Sequence, residues 1–307
     1  VDSPLVVVAG PTGSGKSHLA LALAGRFDGE IVNCDSLQVY RGLDIGTAKT
    51  PAAERDSVPH HLLDFLEPWA VFNAGDYVKL AKPVLAGIAA RGRLPILAGG
   101  TGFYIRALLD GLNEGPSRDN TLRERLLTRK GSLHRILTRL DPASAQRIHP
   151  NDSNKTLRAL EICLLARRPA SQVFQSERQK LEGFRVLKIG LNPPRQALHE
   201  RIAARSRGMF DGGLAEEVRH LLGAGVPADA KAFESIGYKE CLQYLKGALT
   251  LEQAVELTTI ATRQYAKRQL TWFRRESDMR WLDCFGDDPA AFESSCAWIR
   301  EFTCTPK

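Results

Sequence analysis

Residues 5–25 constrain this chain more than any other stretch: Leu5-Val-Val-Val-Ala-Gly10-Pro11-Thr12-Gly13-Ser14-Gly15-Lys16-Ser17, then His18-Leu-Ala-Leu-Ala-Leu-Ala-Gly25. The Val-rich run reads as a strand covered on both faces. Residues 10–17 then match G-x-x-x-x-G-K-[ST], a loop that cradles phosphate, and the Leu/Ala run behind it is a strong helix former. The glycines admit backbone conformations closed to other residues and leave no Cβ between amides and anion. The helix N-terminus aims partial positive charge at the same point. Lys16 adds a full charge, and the Ser17 hydroxyl can hold Mg²⁺. Strand, loop and helix in this order predict a parallel α/β sheet whose first loop binds a di- or triphosphate through residues 10–17.

The remaining composition sets limits. A chain of 307 residues carries one large domain or two of ordinary size, and 43% hydrophobic with 25% charged residues is globular. No apolar run approaches the ~20 residues of a membrane span. The opening run lacks the basic flank of a signal peptide. Cysteines 34, 163, 241, 284, 296 and 304 form no C-x-x-C pair, so they read as reduced thiols of a cytoplasmic protein with no zinc site. The net charge is +7, and residues 116–182, with 14 Lys/Arg against 7 Asp/Glu, hold an excess equal to all of it. A segment so biased points to a polyanionic partner.

Along the chain, Glu30-Ile-Val-Asn-Cys-Asp35 predicts a second strand. In an open parallel sheet the loops after the strands share one rim, so Asp35 falls beside the phosphate loop. Residues 60–66 read as a short strand with His60 and His61 structural, and a helix follows over 74–91, punctuated by Pro83. Strand 94–98 ends in Gly99-Gly100-Thr101-Gly102, where many ATP-hydrolysing proteins place a Mg²⁺-binding Asp. These glycines let something approach the backbone closely, and equipment for cleaving a γ-phosphate is not evident. Residues 116–182 predict helices over 122–130, 133–140, 143–149 and 156–167, an insertion between core segments 1–115 and 183–307. Strand 184–191, a helix after Pro194 broken at Gly212-Gly213, a helix opening near Phe233, a basic helix over 251–276 and a closing strand and helix complete the pattern. Trp272 and Phe273 are placed to dock the basic helix on the core.

These residues together resemble the bacterial tRNA dimethylallyltransferase (tRNA isopentenyltransferase) family over nearly the whole chain. The matching stretches are GPTGSGKS at 10–17, DSLQVYRGLDIGTAK at 35–49, GGTGFY at 99–104, NDSNKTLRALEI at 151–162, SIGYKE at 235–240 and TRQYAKRQLTWFRR at 262–275. The resemblance implies a P-loop NTPase-like parallel-sheet core with a helical insertion that clamps the tRNA anticodon stem-loop. The implied reaction moves a five-carbon prenyl group from dimethylallyl diphosphate to an adenosine amine beside the anticodon, with Mg²⁺. It implies a diphosphate held by Gly10, Pro11, Thr12, Gly13, Ser14, Gly15, Lys16 and Ser17, with Ser17 on the metal. Asp35 matches the general base, Thr101 a residue beside the target adenosine, and Lys16 and Arg205 the cations on the leaving pyrophosphate. Asp35, Ser36, Leu37, Gln38, Thr101, Arg123, Asn154, Lys155, Arg158, Gly237, Tyr238 and Lys239 match tRNA contacts. The family often has Gln-Arg where this chain has Asn154-Lys155, which keeps a charge and loses a planar fork.

Three rival readings use the same loop, one of them a non-catalytic RNA-binding protein in which Asp35 would be idle. A prenyltransferase acting on free AMP or ATP has no use for a basic insertion. A small-molecule kinase fits poorly with the Gly-Gly-Thr-Gly strand end. Nothing in the sequence demands more than a monomer.

Overall fold

The computed structural model describes residues 2–113, 115–175 and 178–304. The described residues divide into two compact units, one running to Leu108 and resuming at Leu181, the other spanning Leu109–Lys180.

The first unit is built on six strands: β1 (Ser3–Ala9), β2 (Gly29–Asn33), β3 (His60–His61), β4 (Leu94–Gly99), β5 (Phe184–Leu191) and β6 (Met279–Leu282). They form one sheet in the order β3-β2-β4-β1-β5-β6, with every pairing parallel. Parallel strands need crossovers, and helices α1 (Lys16–Arg26), α2 (Ala52–Arg55), α3 (Ala74–Ala90) and α4 (Gly102–Leu109) lie between the first four strands or follow them. Apolar side chains on β1, α1, β4 and β5, among them Val6, Val8, Leu19, Leu23, Ile96 and Ile189, close into the sheet core. The ladder ends with Ala9 opposite Gly99 and, on the other edge of β1, opposite Gly190. The loops after β2, β4, β1 and β5 therefore leave four adjacent strands side by side.

The α3 helix runs through Pro83 without a break, capped by Asn73 and Asp76. The strand predicted over 60–66 is only His60–His61, because Leu62 and Asp64 take left-handed backbone angles that end the ladder. His61 hydrogen-bonds the buried Glu30, so the pair is structural.

The helical unit holds α5 (Asn120–Leu127), α6 (Leu133–Leu140), α7 (Pro142–Arg147), α8 (Ser153–Ala166) and α9 (Ala170–Val173). Leu126, Leu133, Leu137, Leu157, Leu160 and Ile162 form its own core. The unit starts ahead of the composition change at 116, and Arg178 Nε bonding Asn113 Oδ1 is one tie for that segment.

Past β5 the chain forms α10 (Arg195–Asp211), α11 (Leu214–Gly223), α12 (Tyr238–Leu245), α13 (Leu251–Phe273) and α14 (Pro289–Cys304). The predicted helix at Phe233 is a 3₁₀ turn, Lys231–Glu234, followed by α12. A second apolar cluster, including Val39, Leu43, Phe210, Leu214, Val218 and Phe233, anchors the 36–49 loop to these helices. All six cysteines are free thiols. Among the described residues no helix is long and apolar enough to cross a membrane.

Candidate functional site

The phosphate loop joins β1 to α1. Gly15, at φ 84°, caps α1 in the left-handed region, and a Cβ there would strike Asp287 Oδ1 and Gly286 N, so this position accepts only glycine. Gly286 N–H donates to Ser14 O at 2.8 Å, tying the loop to the segment after β6. The Ser14 hydroxyl is buried without a partner, and the Ser17 side chain is exposed at the first turn of α1. Lys16 Nζ makes a long 3.4 Å hydrogen bond to Pro11 O.

Three charges meet at this rim. Burial of the Lys16 ammonium lowers its pKa; Asp35 opposes that effect, Arg205 adds to it, and the result is about 8. Burial likewise lowers the pKa of Arg205, on α10, against the attraction of Asp35. Withdrawing cations from water favours their neutral forms and primes them for an anion. Asp35 Oδ1 accepts the Leu37 N–H at 2.9 Å, a turn that fixes the carboxylate; Oδ2 accepts no hydrogen bond among the described residues. Lys16, Asp35, Thr101 and Arg205, called from separate parts of the sequence, thus belong to one site.

Thr101 stands on the neighbouring loop, after β4. Its Oγ1 accepts the Ser36 N–H at 3.1 Å, and its N–H donates to Cys34 O. Tyr265, on α13, is withdrawn from water beside Thr101 and Gln269, and this burial pushes its hydroxyl pKa up. The approach permitted by the loop glycines is made by the protein itself. A Cβ on Gly99 would lie 2.0 Å from Cys34 O, and one on Gly100 would lie 2.3 Å from Gln269 Nε2. Two residues past Thr101, Phe103 is 51% exposed, its ring set edge-on to Trp272 at 6.4 Å. Trp272 in turn carries Arg106 over its face at 4.3 Å, and Phe273 is buried, so both aromatics dock α13 as expected.

The 36–49 loop is tied down by contacts the sequence did not disclose. Lys49 is buried and reaches Tyr40 O, Asp44 and Asp64. Glu217 accepts the N–H groups of Asp44 and Ile45 and the Tyr238 hydroxyl. Gln38 donates to Thr47 O and Ala48 O, while Ser36 and Leu37 are partly exposed.

Several of the residues expected to contact RNA also have partners within the protein. Tyr238 is 0% exposed and its hydroxyl is held by Glu217, so its side chain is a core wedge. Gly237 is buried beside it, whereas Lys239 is exposed. In the helical unit, Arg123 binds Glu161 through Nε at 3.0 Å, and Arg158 bonds Glu161 and Pro116 O. Glu161 is fully buried, so both arginines are tied to an internal carboxylate. Asn154 and Lys155 are exposed, with Lys155 lying 2.8 Å from Asp152. The unit's outer surface carries exposed Arg125, Arg129, Arg135, Arg139 and Arg147.

Gln269 was not singled out from the sequence. It is 6% exposed, and it joins the two loops of the site: Oε1 accepts Thr12 N–H and Nε2 donates to Gly100 O, each at 2.8 Å.

Comparison with known proteins places this geometry in a family. The family model for IPP transferase matches residues 38–276. A tRNA dimethylallyltransferase of Solibacter usitatus is 56% identical over 303 residues, covering 97% of this chain and 99% of the relative. The crystal structure of a full-length tRNA isopentenylpyrophosphate transferase from Bacillus halodurans superposes with a TM-score of 0.71 at 39% identity, covering 98% of this chain and 95% of the other. A eukaryotic dimethylallyltransferase acting on tRNA superposes with a TM-score of 0.82 at 28% identity, over 97% of this chain and 77% of its own. The chain belongs to the IPP transferase family, among the tRNA dimethylallyltransferases.

Proposed function

We propose that this enzyme transfers a dimethylallyl group from dimethylallyl diphosphate to the exocyclic N6 amine of the adenosine 3′ to the anticodon of a tRNA, releasing pyrophosphate. The observation that carries the reading is the meeting of Lys16 and Arg205 with Asp35 at one rim, beside Thr101. As the allylic C–O bond breaks, negative charge gathers on the leaving diphosphate. The loop amides, Lys16 and Arg205 are aimed at that charge. As the N6–C bond forms, the amine loses a proton, and the unoccupied Oδ2 of Asp35 accepts it. Thr101 and the Ser36–Gln38 turn line the acceptor side, and the exposed face of Phe103 suits a base extruded from its stack.

The donor set suits Mg²⁺ carried in with the diphosphate. Among the described residues no cluster of three His, Cys, Asp or Glu side chains could hold a metal. Of the residues here, Ser17 would offer it a hydroxyl beside the phosphate oxygens. Bound there, the ion would supply positive charge against that building on the leaving group. The helical unit contributes RNA affinity through exposed arginines and Lys155, and Lys239 adds a cation on the first unit. The protein works as a monomer in this reading.

The test is transfer of label from dimethylallyl diphosphate to unmodified tRNA, AMP or ATP. Label is expected on tRNA alone. Label on AMP but not tRNA would overturn the reading.

A further inference from the structure

The two loops of the site belong to neighbouring strands, but the sheet stops fixing their separation at the last pair, Ala9 opposite Gly99. Beyond it, the phosphate loop and the Thr101 loop are joined by one planar amide. Gln269 Oε1 accepts the Thr12 N–H on one side and its Nε2–H donates to Gly100 O on the other. The fit is close: any side chain on Gly100 would collide with Gln269 Nε2, and the same missing Cβ would lie 3.4 Å from Lys16 Cε.

This arrangement works against phosphate binding alone. Thr12 N–H is one of the amides that a phosphate loop would turn toward its anion, and here it is occupied. The gain lies in the distance between the two loops. Transfer needs the leaving diphosphate on residues 10–17 and the acceptor amine near Thr101 and Asp35 at one fixed separation, and an error of about 1 Å can cost about 10²-fold in rate.

We propose that Gln269 is a positioning residue that sets the spacing between the diphosphate and the acceptor adenosine. This rests on the prenyl-transfer reading. Gln269→Leu keeps the volume and removes both hydrogen bonds. It is expected to lower kcat by about 10–10²-fold, leaving pyrophosphate affinity and KM for an anticodon stem-loop within about threefold of wild type. Gln269→Glu keeps the acceptor for Thr12, loses the donor to Gly100 and adds a negative charge. It is expected to lower kcat similarly and to weaken pyrophosphate binding as well. Thermal midpoints are recorded for both. A kcat within about threefold of wild type in both variants overturns the proposal. So does a Leu variant whose kcat, pyrophosphate affinity and thermal midpoint fall together, since that marks a structural role. Wild-type protein that transfers no prenyl group to tRNA, with pyrophosphate still bound, instead overturns the reading on which the proposal rests.

Discussion

Lys16, Arg205 and Asp35 at the sheet rim and Arg123, Arg158 and Glu161 in the helical unit are each two cations around one carboxylate. In the helical unit every partner is engaged. Glu161 accepts from both arginines and from Asp119 N–H. Burial alone would push its carboxyl up, but the hydrogen bonds from Arg123 and Arg158 more than reverse this and leave it below the usual range. At the rim, no ion pair joins the three groups among the described residues. Asp35 answers a backbone amide, and Lys16 reaches only a carbonyl at 3.4 Å. The first triad is architecture. The second holds its charge in reserve, and unpaired charge withdrawn from water is what a reacting anion and a departing proton can use.

The largest effect expected from this contrast is on stability. Replacing Arg123 and Arg158 together by Met strands Glu161 in the core with one amide, a loss of about 3–5 kcal/mol. Urea unfolding measures it, and adding Glu161→Leu should recover part of the loss. A double variant as stable as wild type would erase the distinction between the triads.

A smaller effect sharpens the other side. With Lys16 titrating at about 8, the free enzyme carries its charge below that pH and loses it above. Pyrophosphate affinity should fall by up to about tenfold per unit as pH rises past 8. The stability of the ligand-free protein moves the other way. The folded pKa lies below the ordinary lysine value of 10.5, so the unfolded chain binds the extra proton between about 8 and 10.5, and the Lys16 contribution rises with pH there. Lys16→Met should remove both trends; calorimetry over pH 7–10 checks them.

Local signals made much of this legible. The first strand, loop and helix lie in one stretch, and Asp35, Thr101 and the phosphate loop follow from the rule that loops after parallel strands share a rim. The rest depends on partners far apart in sequence. Gln269 and Thr12 are separated by 257 positions, so no pattern near either reveals the bridge. The glycines of the Thr101 loop announced a close approach but not what approaches, which is Cys34 and Gln269. The resemblance marks Tyr238 and Arg158 as contacts, and only the fold reveals that Glu217 and Glu161 also bind them.

The reserve held at the rim is tested most directly through Asp35→Asn. The amide oxygen can still accept the Leu37 N–H, so the turn survives while the proton acceptor is lost. Single-turnover transfer to tRNA below pH 7, where Lys16 keeps its charge, should fall by at least about 10²-fold. Pyrophosphate and stem-loop affinities should stay near wild type. A variant that transfers the prenyl group at close to the wild-type rate would contradict the role given to Asp35, and with it the claim that the unpaired triad is there to react.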